Sequence, residues 1–221
     1  MAKLVWDQSG QKEFESGVSQ VVLFPMGASD YEKGVAWNGV TAITENPSGA
    51  DVTDLYADDI KYASLRAAEQ FGCTIEAYTY PDEWNECDGS AEAETGVFIG
   101  QQPRKAFGLV YKTKIGDDKH PGLDKGYKIH IIYNSTAAPS SRGYTTINDN
   151  PDAITFSWEA NSTPVGFETE KYLSRKPVST IVIDSTKADE TALKALEALV
   201  FGSANGDAEL PNPDEVLDLF D

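Results

Sequence analysis

The sequence predicts a mainly β protein: a β-sandwich or barrel with one flanking α-helix and extended terminal arms. Three observations support this fold class. Apolar and polar residues alternate with a period of two in several segments, clusters of turn-forming residues separate these segments, and only one segment has strong helical periodicity. A single helix beside many strands is typical of a sheet that packs one face against a helix. The 221 residues, of which 40% are hydrophobic, are enough for a packed core.

The alternating segments predict strands with one buried face. In residues 73–78 every second residue is apolar from Cys73 onward, and residues 106–115 and 127–134 alternate in a similar way. The sequence GDDKHPG at 116–122 is rich in turn formers, so the last two segments should form a long antiparallel hairpin. Further strands are expected at 35–44, 153–160 and 178–184.

The strongest helical segment is predicted from Ala188 to Phe201. Leu193, Leu196 and Val200 recur at helical spacing, which gives the helix one apolar stripe for packing on the sheet. Gly202 supplies a stop immediately after it. A shorter turn or helix also fits the residues just before Cys87.

Terminal arms are expected at 1–20 and 203–221, around a central β-domain of residues 21–202. The C-terminal arm contains Pro211-Asn212-Pro213, and prolines this close favour an extended path. The apolar residues beyond them need a surface to bury against. We expect this arm to dock on a neighbouring subunit, and the alternative is that it folds back on its own domain. The candidate contact residues are Val216, Leu217, Leu219 and Phe220.

Charge is distributed in blocks along the chain. The formal net charge is −18, and residues 41–100 carry 13 acidic residues against two basic ones. Residues 101–142 instead carry eight basic residues against three acidic ones. A homo-oligomer can place such a basic block against the acidic surface of another copy. The candidates for this contact are Lys112, Lys114, Lys119 and Lys128. The acidic excess disfavours adhesion to nucleic acid or to an anionic membrane.

No segment predicts reaction chemistry, so we expect no enzyme, cofactor or metal. His120 falls in a turn and His130 on a polar strand face, so both are expected to be solvated, and neither has the spacing of a zinc site. Motifs of nucleophilic hydrolases and of nucleotide-binding loops are absent. Weak Ca²⁺ binding by acidic clusters and a glycosidase carboxylate pair stay open, although solvated acidic loops are favoured.

The two cysteines and the hydropathy indicate a cytoplasmic site of synthesis. Cys73 and Cys87 fit reduced core residues better than a disulfide in a reducing compartment. No secretory signal and no apolar run long enough to span a bilayer is present, so no membrane partner is expected.

Several stretches resemble one known family. The matching pieces are LYADD at 55–59, Phe71-Gly72, YPDE at 80–83, Asp88-Gly89, RKAFGLVY at 104–111 and GYKIH at 126–130. With the run 53–89 as their centre, they resemble the major tail proteins of siphophage type, which build the tail tube of long-tailed bacteriophages. The resemblance continues to about residue 200 and covers most of the chain.

The resemblance implies a tail-tube fold and a structural role. In that family, hexameric rings stack into a tube, each subunit adds strands to a continuous inner barrel, and loops and terminal arms hold the rings together. The implied partners are other copies of the chain, a tape-measure protein, and tail terminator and distal tail proteins. DNA would pass through the lumen without specific binding, and the protein would reside in the virion after assembly in the host cytoplasm.

A monomeric β-sandwich module that binds carbohydrate or a receptor is the alternative function. Its aromatic platform would use Trp37, Trp84 and Trp158 together with Tyr78 and Tyr80. On alternating strands such side chains more often pack in the core or against neighbouring strands.

Overall fold

The computed structural model describes residues 4–147, 152–204 and 206–221, which form a mainly β fold. Its strands are β1 (Phe14–Pro25), β2 (Val35–Ala36), β3 (Val40–Glu45), β4 (Ser48–Gly49), β5 (Val52–Ala57), β6 (Ile60–Arg66), β7 (Glu69–Gln70), β8 (Gly72–Ala77), β9 (Ala91–Glu94), β10 (Val97–Ile99), β11 (Phe107–Gly116), β12 (Gly126–Ala137), β13 (Phe156–Ser162) and β14 (Thr180–Asp184). Its helices are α1 (Trp84–Cys87), α2 (Glu190–Val200) and α3 (Pro213–Leu219). None of the helices in the described ranges is long and apolar enough to cross a membrane.

One antiparallel sheet organises the fold. Its strand order is β2-β1-β11-β12-β13-β8-β3, and β14 is an additional neighbour of β12. The long strand β12 is shared, because its residues 128–132 pair with β14 whereas residues 135–137 pair with β13. The sheet therefore divides at β12 into two layers that pack on each other.

A first core fills the space between the two layers. Leu23 of β1 packs here in one cluster with Ile75 of β8. The same cluster contains Trp37, Trp84 and Trp158. The ring centroid of Trp84 lies 4.6 Å from that of Trp37 and 5.3 Å from that of Trp158. All three tryptophans are buried, which confirms the prediction that they are core residues.

A second core lies on the other face of β1, β11 and β12. Phe24 and Ile131 face Leu196 and Val200 of α2 and Val216 of α3. The central strands are thus buried on both faces, and their side chains alternate between two cores rather than between core and solvent. The result is three layers: sheet, sheet and helices.

The predicted hairpin and helix are confirmed. Strands β11 and β12 pair antiparallel, with Tyr111 opposite His130. Helix α2 begins after Asp189, whose carboxylate accepts hydrogen bonds from the backbone N–H groups of Thr191 and Ala192. This cap satisfies two of the N–H groups that a helix start leaves unpaired.

Strand β1 and the region of β2 and β3 differ from the prediction. β1 begins at Phe14, so part of the range expected to be an N-terminal arm is strand. The strand expected at 35–44 is two strands, because Gly39 between them adopts φ +80°. Such a conformation is open to glycine and ends a regular strand.

The C-terminal residues also differ from the extended path that was expected. They form α3, so the fold has more than the single helix predicted. Asn212 and Glu215 make a reciprocal capping box, and Pro213 occupies the first turn. Proline fits there because its fixed φ suits a helix and the N–H it lacks would be unpaired. Leu210, just before α3, packs over Gly108 of β11, where a Cβ would lie only 2.2 Å from Leu210 Cδ2.

Candidate self-assembly surfaces

The hairpin of β5 and β6 carries a group of exposed apolar side chains. Its two strands pair with each other and not with the main sheet. Tyr56 and Tyr62 are 70% and 76% exposed, and Leu55, Ile60 and Leu65 are exposed with them. Exposed apolar side chains gathered on one hairpin are typical of a site of protein association.

A tight turn of two acidic residues closes this hairpin. Asp58 and Asp59 both adopt positive φ, 51° and 61°, a geometry that suits the twist of a two-residue hairpin. Periodicity did not predict the hairpin, because Asp-Asp is a weaker turn signal than Asp-Gly and both faces carry apolar residues. The run 53–89 that resembles tail proteins contains it.

Strands β3 and β14 of the main sheet each leave an edge open, in addition to the two-residue strand β2. Among the described residues, β3 pairs only with β8, and β14 pairs only with β12. β14 exposes Val182 in its middle. Unpaired N–H and C=O groups along such an edge can accept a strand from another chain.

Two of the four candidate lysines have partners within the chain. Lys112 forms an ion pair with Glu197 of α2, and its ammonium lies 4.5 Å from the ring centroid of Tyr127. Lys128 donates a hydrogen bond of 2.6 Å to Glu15 of β1, which raises the pKa of this lysine. These two lysines of the basic block therefore pair with acidic residues of α2 and β1 in the same chain.

The other two candidate lysines are exposed. Within the ranges that the structure describes, no ion pair includes Lys114 or Lys119. Lys114 projects from β11, and the side chain of Lys119 lies beside Gly10. Both remain candidates for a contact with another copy, and that contact stays a prediction.

Asp117 organises the turn between β11 and β12. Its carboxylate accepts hydrogen bonds from the backbone N–H groups of Lys119 and His120, from Nδ1 of His120 and from Nζ of Lys125. Burial alone would raise the pKa of Asp117, but the bonds from Lys125 and His120 outweigh it and hold that pKa well below its usual 3.8. The prediction that His120 is simply solvated missed this role.

Asp118 and Lys125 bind residues 9–13, near the start of the chain. Asp118 accepts hydrogen bonds from the backbone N–H of Gly10 at 2.7 Å and from Oγ of Ser9 at 3.2 Å. Lys125 reaches Glu13 at 2.6 Å. Sequence reasoning missed these residues, because the contact joins positions more than a hundred residues apart.

His130 is largely buried, so the expectation of a solvated side chain is wrong. Its side chain is 12% exposed, and its ring stacks on Tyr111 at 4.6 Å between centroids. Nε2 lies 3.0 Å from Oγ1 of Thr113. Burial lowers the pKa of His130, while Glu45 and Glu15 oppose that shift.

The C-terminal candidate residues pack on their own domain. Val216 is 1% exposed and belongs to the core between the sheet and α2. Leu219 and Phe220 pack against that core, and Leu217 is half-buried. Within one subunit the C-terminal residues therefore fold back on their own domain, and their contact with a neighbouring subunit stays a prediction.

The outer face of β8 and β13 carries polar side chains. Thr74 and Glu76 project from β8, and Glu159 and Asn161 project from β13, opposite the buried residues of these strands. Strands β3, β8 and β13 contain no lysine or arginine. This face is uncovered by helices and bears carboxylates but no cation from these strands.

The two cysteines lie in the core of the protein. Cys73 and Cys87 are buried as free thiols, and burial raises both pKa values to about 12. In the part of the chain that is described, no group of histidine, cysteine or acidic residues could hold a metal ion.

The described structure thus presents open sheet edges and a projecting apolar hairpin, which are the candidate surfaces for association of a structural protein. A family model described as "Phage tail tube protein" matches residues 30–204. The chain belongs to this family, and it is therefore a structural component of the bacteriophage tail. No curated protein matches the chain.

Proposed function

We propose that this chain is the repeating subunit of the tail tube, in which hexameric rings stack into a conduit that delivers DNA into the host. The observation that carries this proposal is the pair of open sheet edges, β3 and β14. In a ring in which one of these edges meets the other edge of the next copy, both edges are paired. A head-to-tail contact of this type is heterologous, so it can close into a ring.

The proposed partners are those that the resemblance to tail proteins implies. The lumen holds a tape-measure protein during assembly, and tail terminator and distal tail proteins close the two ends. Subunits fold in the host cytoplasm, where the net charge of −18 keeps them soluble through mutual repulsion. Pairing of strand edges attracts neighbouring subunits within a ring. The apolar hairpin attracts subunits of successive rings.

The polar face of β8 and β13 is the best candidate for the wall of the lumen. Glu76 and Glu159 repel the phosphates of passing DNA over the Debye length, about 10 Å at 0.1 M salt. The small polar side chains beside them give DNA few groups to bind. The opposite side of the domain is covered by α2 and α3, which suits the outside of a tube.

Electron microscopy of the purified protein tests the proposal. The wild type should form rings or tubes at high concentration or beside its tape-measure protein, and Val182→Lys should not. A lysine on an edge strand opposes pairing with another strand, and Val182 is exposed, so the monomer should fold normally.

Leu173→Lys is the matched control, because Leu173 is an exposed apolar residue outside the strands. It should assemble like the wild type. The proposal would be contradicted if the wild-type protein stayed monomeric at every concentration and also with its tape-measure protein. That result would favour the monomeric binding module.

A further inference from the structure

A groove lies on the side of the domain that carries α2 and α3. Its volume is about 660 Å³, which is within the range of roughly 300–1,000 Å³ typical of ligand sites. The groove is lined by residues 30–33 in the loop after β1, by residues 209–211 in the linker before α3, and by residues of α2 and α3. Three separate parts of the chain therefore meet around it.

The more buried part of the lining is apolar. Leu210 and Pro211 are buried, and Tyr31, Leu199 and Leu219 are half-buried. Tyr31 and Leu219 pack against the second core, so the groove borders that core. Apolar surface that stays partly exposed in a concave site favours binding of a partner that covers it.

The exposed part of the lining is acidic. It contains one lysine, Lys33, and the carboxylates of Asp30, Glu32, Glu209, Glu215 and Asp218. Lys33 pairs with Asp207, and Glu32 pairs with Lys105, so both are neutralised by residues outside the lining. Within residues 4–147, 152–204 and 206–221, no ion pair includes the other carboxylates of the groove. The groove therefore keeps an excess of negative charge.

Glu209 is the carboxylate of the groove with the fewest contacts inside the chain. Asp30 accepts a hydrogen bond from the backbone N–H of Tyr31, and Asp218 accepts one from the hydroxyl of Tyr172 at 2.9 Å. Glu215 takes part in the capping box of α3. The carboxylate of Glu209 has neither a hydrogen bond nor an ion pair to the described residues. Its full charge is thus available to a partner.

We propose that this groove binds a cationic segment of another protein, in which an apolar side chain is flanked by arginine or lysine residues. The apolar side chain covers the apolar lining, and the flanking cations pair with the carboxylates that have no cation within the subunit. The net charge of −18 favours such a partner over a second copy of this chain, because two copies repel each other.

The groove is complete in the free subunit, so the inference goes beyond the proposed function and does not depend on it. In the proposed tube, α2 and α3 face outwards. The bound segment would then lie on the outer surface of the tail.

Fluorescence anisotropy with a short labelled peptide tests the proposal on the purified full-length subunit. In the probe, leucines are flanked on both sides by arginines. A control peptide has serines in place of the leucines and keeps the arginines. The wild type should bind the leucine probe more tightly than the serine probe, because only the leucines cover the apolar lining. Equal binding of the two peptides, or no binding of the leucine probe, would overturn the proposal.

Charge reversal at Glu209 tests the acidic part of the groove. Glu209→Lys should weaken binding of the leucine probe about tenfold, because it turns an attraction between exposed charges into a repulsion. The variant should fold normally, since the Glu209 carboxylate has no partner in the described chain. Glu94→Lys makes the same change of net charge at an exposed position of β9, outside the groove, and should bind like the wild type. Equal weakening by the two variants would show attraction to the overall charge and overturn the proposal.

A larger side chain at Leu199 tests the shape of the groove. Leu199→Trp fills space beside a half-buried residue, so it should abolish binding of the leucine probe without lowering the melting temperature. Wild-type affinity of this variant would overturn the proposal.

Electron microscopy of the same variants tests the other possible occupant, a second copy of the chain. Glu209→Lys should form tubes as readily as Glu94→Lys. If Glu209→Lys formed fewer tubes while it bound the leucine probe normally, the groove would be a contact between copies and the proposal would be wrong.

Discussion

Asp117 shows how a single carboxylate holds together a turn that the sequence marks only as polar. The side chain is 2% exposed and accepts bonds from two backbone N–H groups, an imidazole and an ammonium. These donors favour the ionised carboxylate in the folded state only. The turn also positions Asp118 and Lys125, which hold the N-terminal segment.

The lowered pKa of Asp117 predicts an acid-sensitive contribution to stability. Because the folded pKa lies below the usual 3.8, this contribution is present above that value and is lost as the pH falls below it. At neutral pH the melting temperature of Asp117→Asn should therefore be lower than that of the wild type. On acidification the melting temperature of the variant should fall by less than that of the wild type. Thermal unfolding across a pH series measures this, with Asp124→Asn in the same turn as control. If the melting temperatures of Asp117→Asn and the wild type changed equally with pH, this explanation of the Asp117 contribution would be wrong.

At the scale of elements, α3 behaves as part of the domain. It covers the second core together with α2, and Val216 lies at the centre of that contact. Truncation of residues 211–221 would then destabilise the subunit itself, rather than remove only a contact between subunits.

Val216→Ala should lower the free energy of unfolding by roughly 2 kcal/mol, from lost apolar burial and the cavity that remains. Urea denaturation of the monomer measures the change. Leu217→Ala, one position along and half-buried, should cost less than half as much. Normal stability of Val216→Ala combined with weaker self-association would instead place this residue against another copy.

The hairpin of β5 and β6 should behave in the opposite way. Tyr56→Ser combined with Tyr62→Ser should leave the melting temperature of the monomer unchanged, because neither ring packs on the domain. Each ring buried on assembly contributes roughly 1.5–3 kcal/mol, so self-association should weaken at least about tenfold. Sedimentation against concentration measures it.

Tyr144→Ser is the control for that pair, since Tyr144 is 71% exposed but lies outside the hairpin. Unchanged association of the hairpin variant, or a lower melting temperature, would remove the hairpin from the assembly surface.

At the scale of the whole molecule, charge has two separate roles. The excess of carboxylates keeps free subunits apart and suits a wall along which DNA moves, whereas the basic block is largely paired within the chain. The polar face of β8 and β13 bears the half-buried Glu76 and the exposed Glu159 on strands free of lysine and arginine.

Glu76→Lys combined with Glu159→Lys should leave tube formation intact but slow the release of DNA from phage particles. Lysines in the wall would bind phosphates, and the delay should shrink as salt screens them. Time-resolved fluorescence of a DNA dye measures release. Glu170→Lys, in the turn segment before β14, is the control. Equal rates of DNA release for the wild type, the double variant and this control would exclude the polar face of β8 and β13 from the lumen.

The sequence by itself determined the elements whose signals are local. The period of two predicted the β11–β12 hairpin, the helical spacing predicted α2, and the tail-protein pieces predicted the family. These signals depend on residues a few positions apart, so they are present in the chain before any tertiary contact forms.

Only the tertiary structure decided which surfaces remain free. Lys128 meets Glu15, a partner 113 residues away, and His130 is buried by the stacking of Tyr111 and the approach of Glu45. The sequence around Pro213 favours an extended arm, but in the structure Pro213 begins α3. The reason is that Val216 is buried there against the apolar side chains of α2 and the sheet. Burial and ion pairing depend on distances between elements, and the packing of the layers sets those distances.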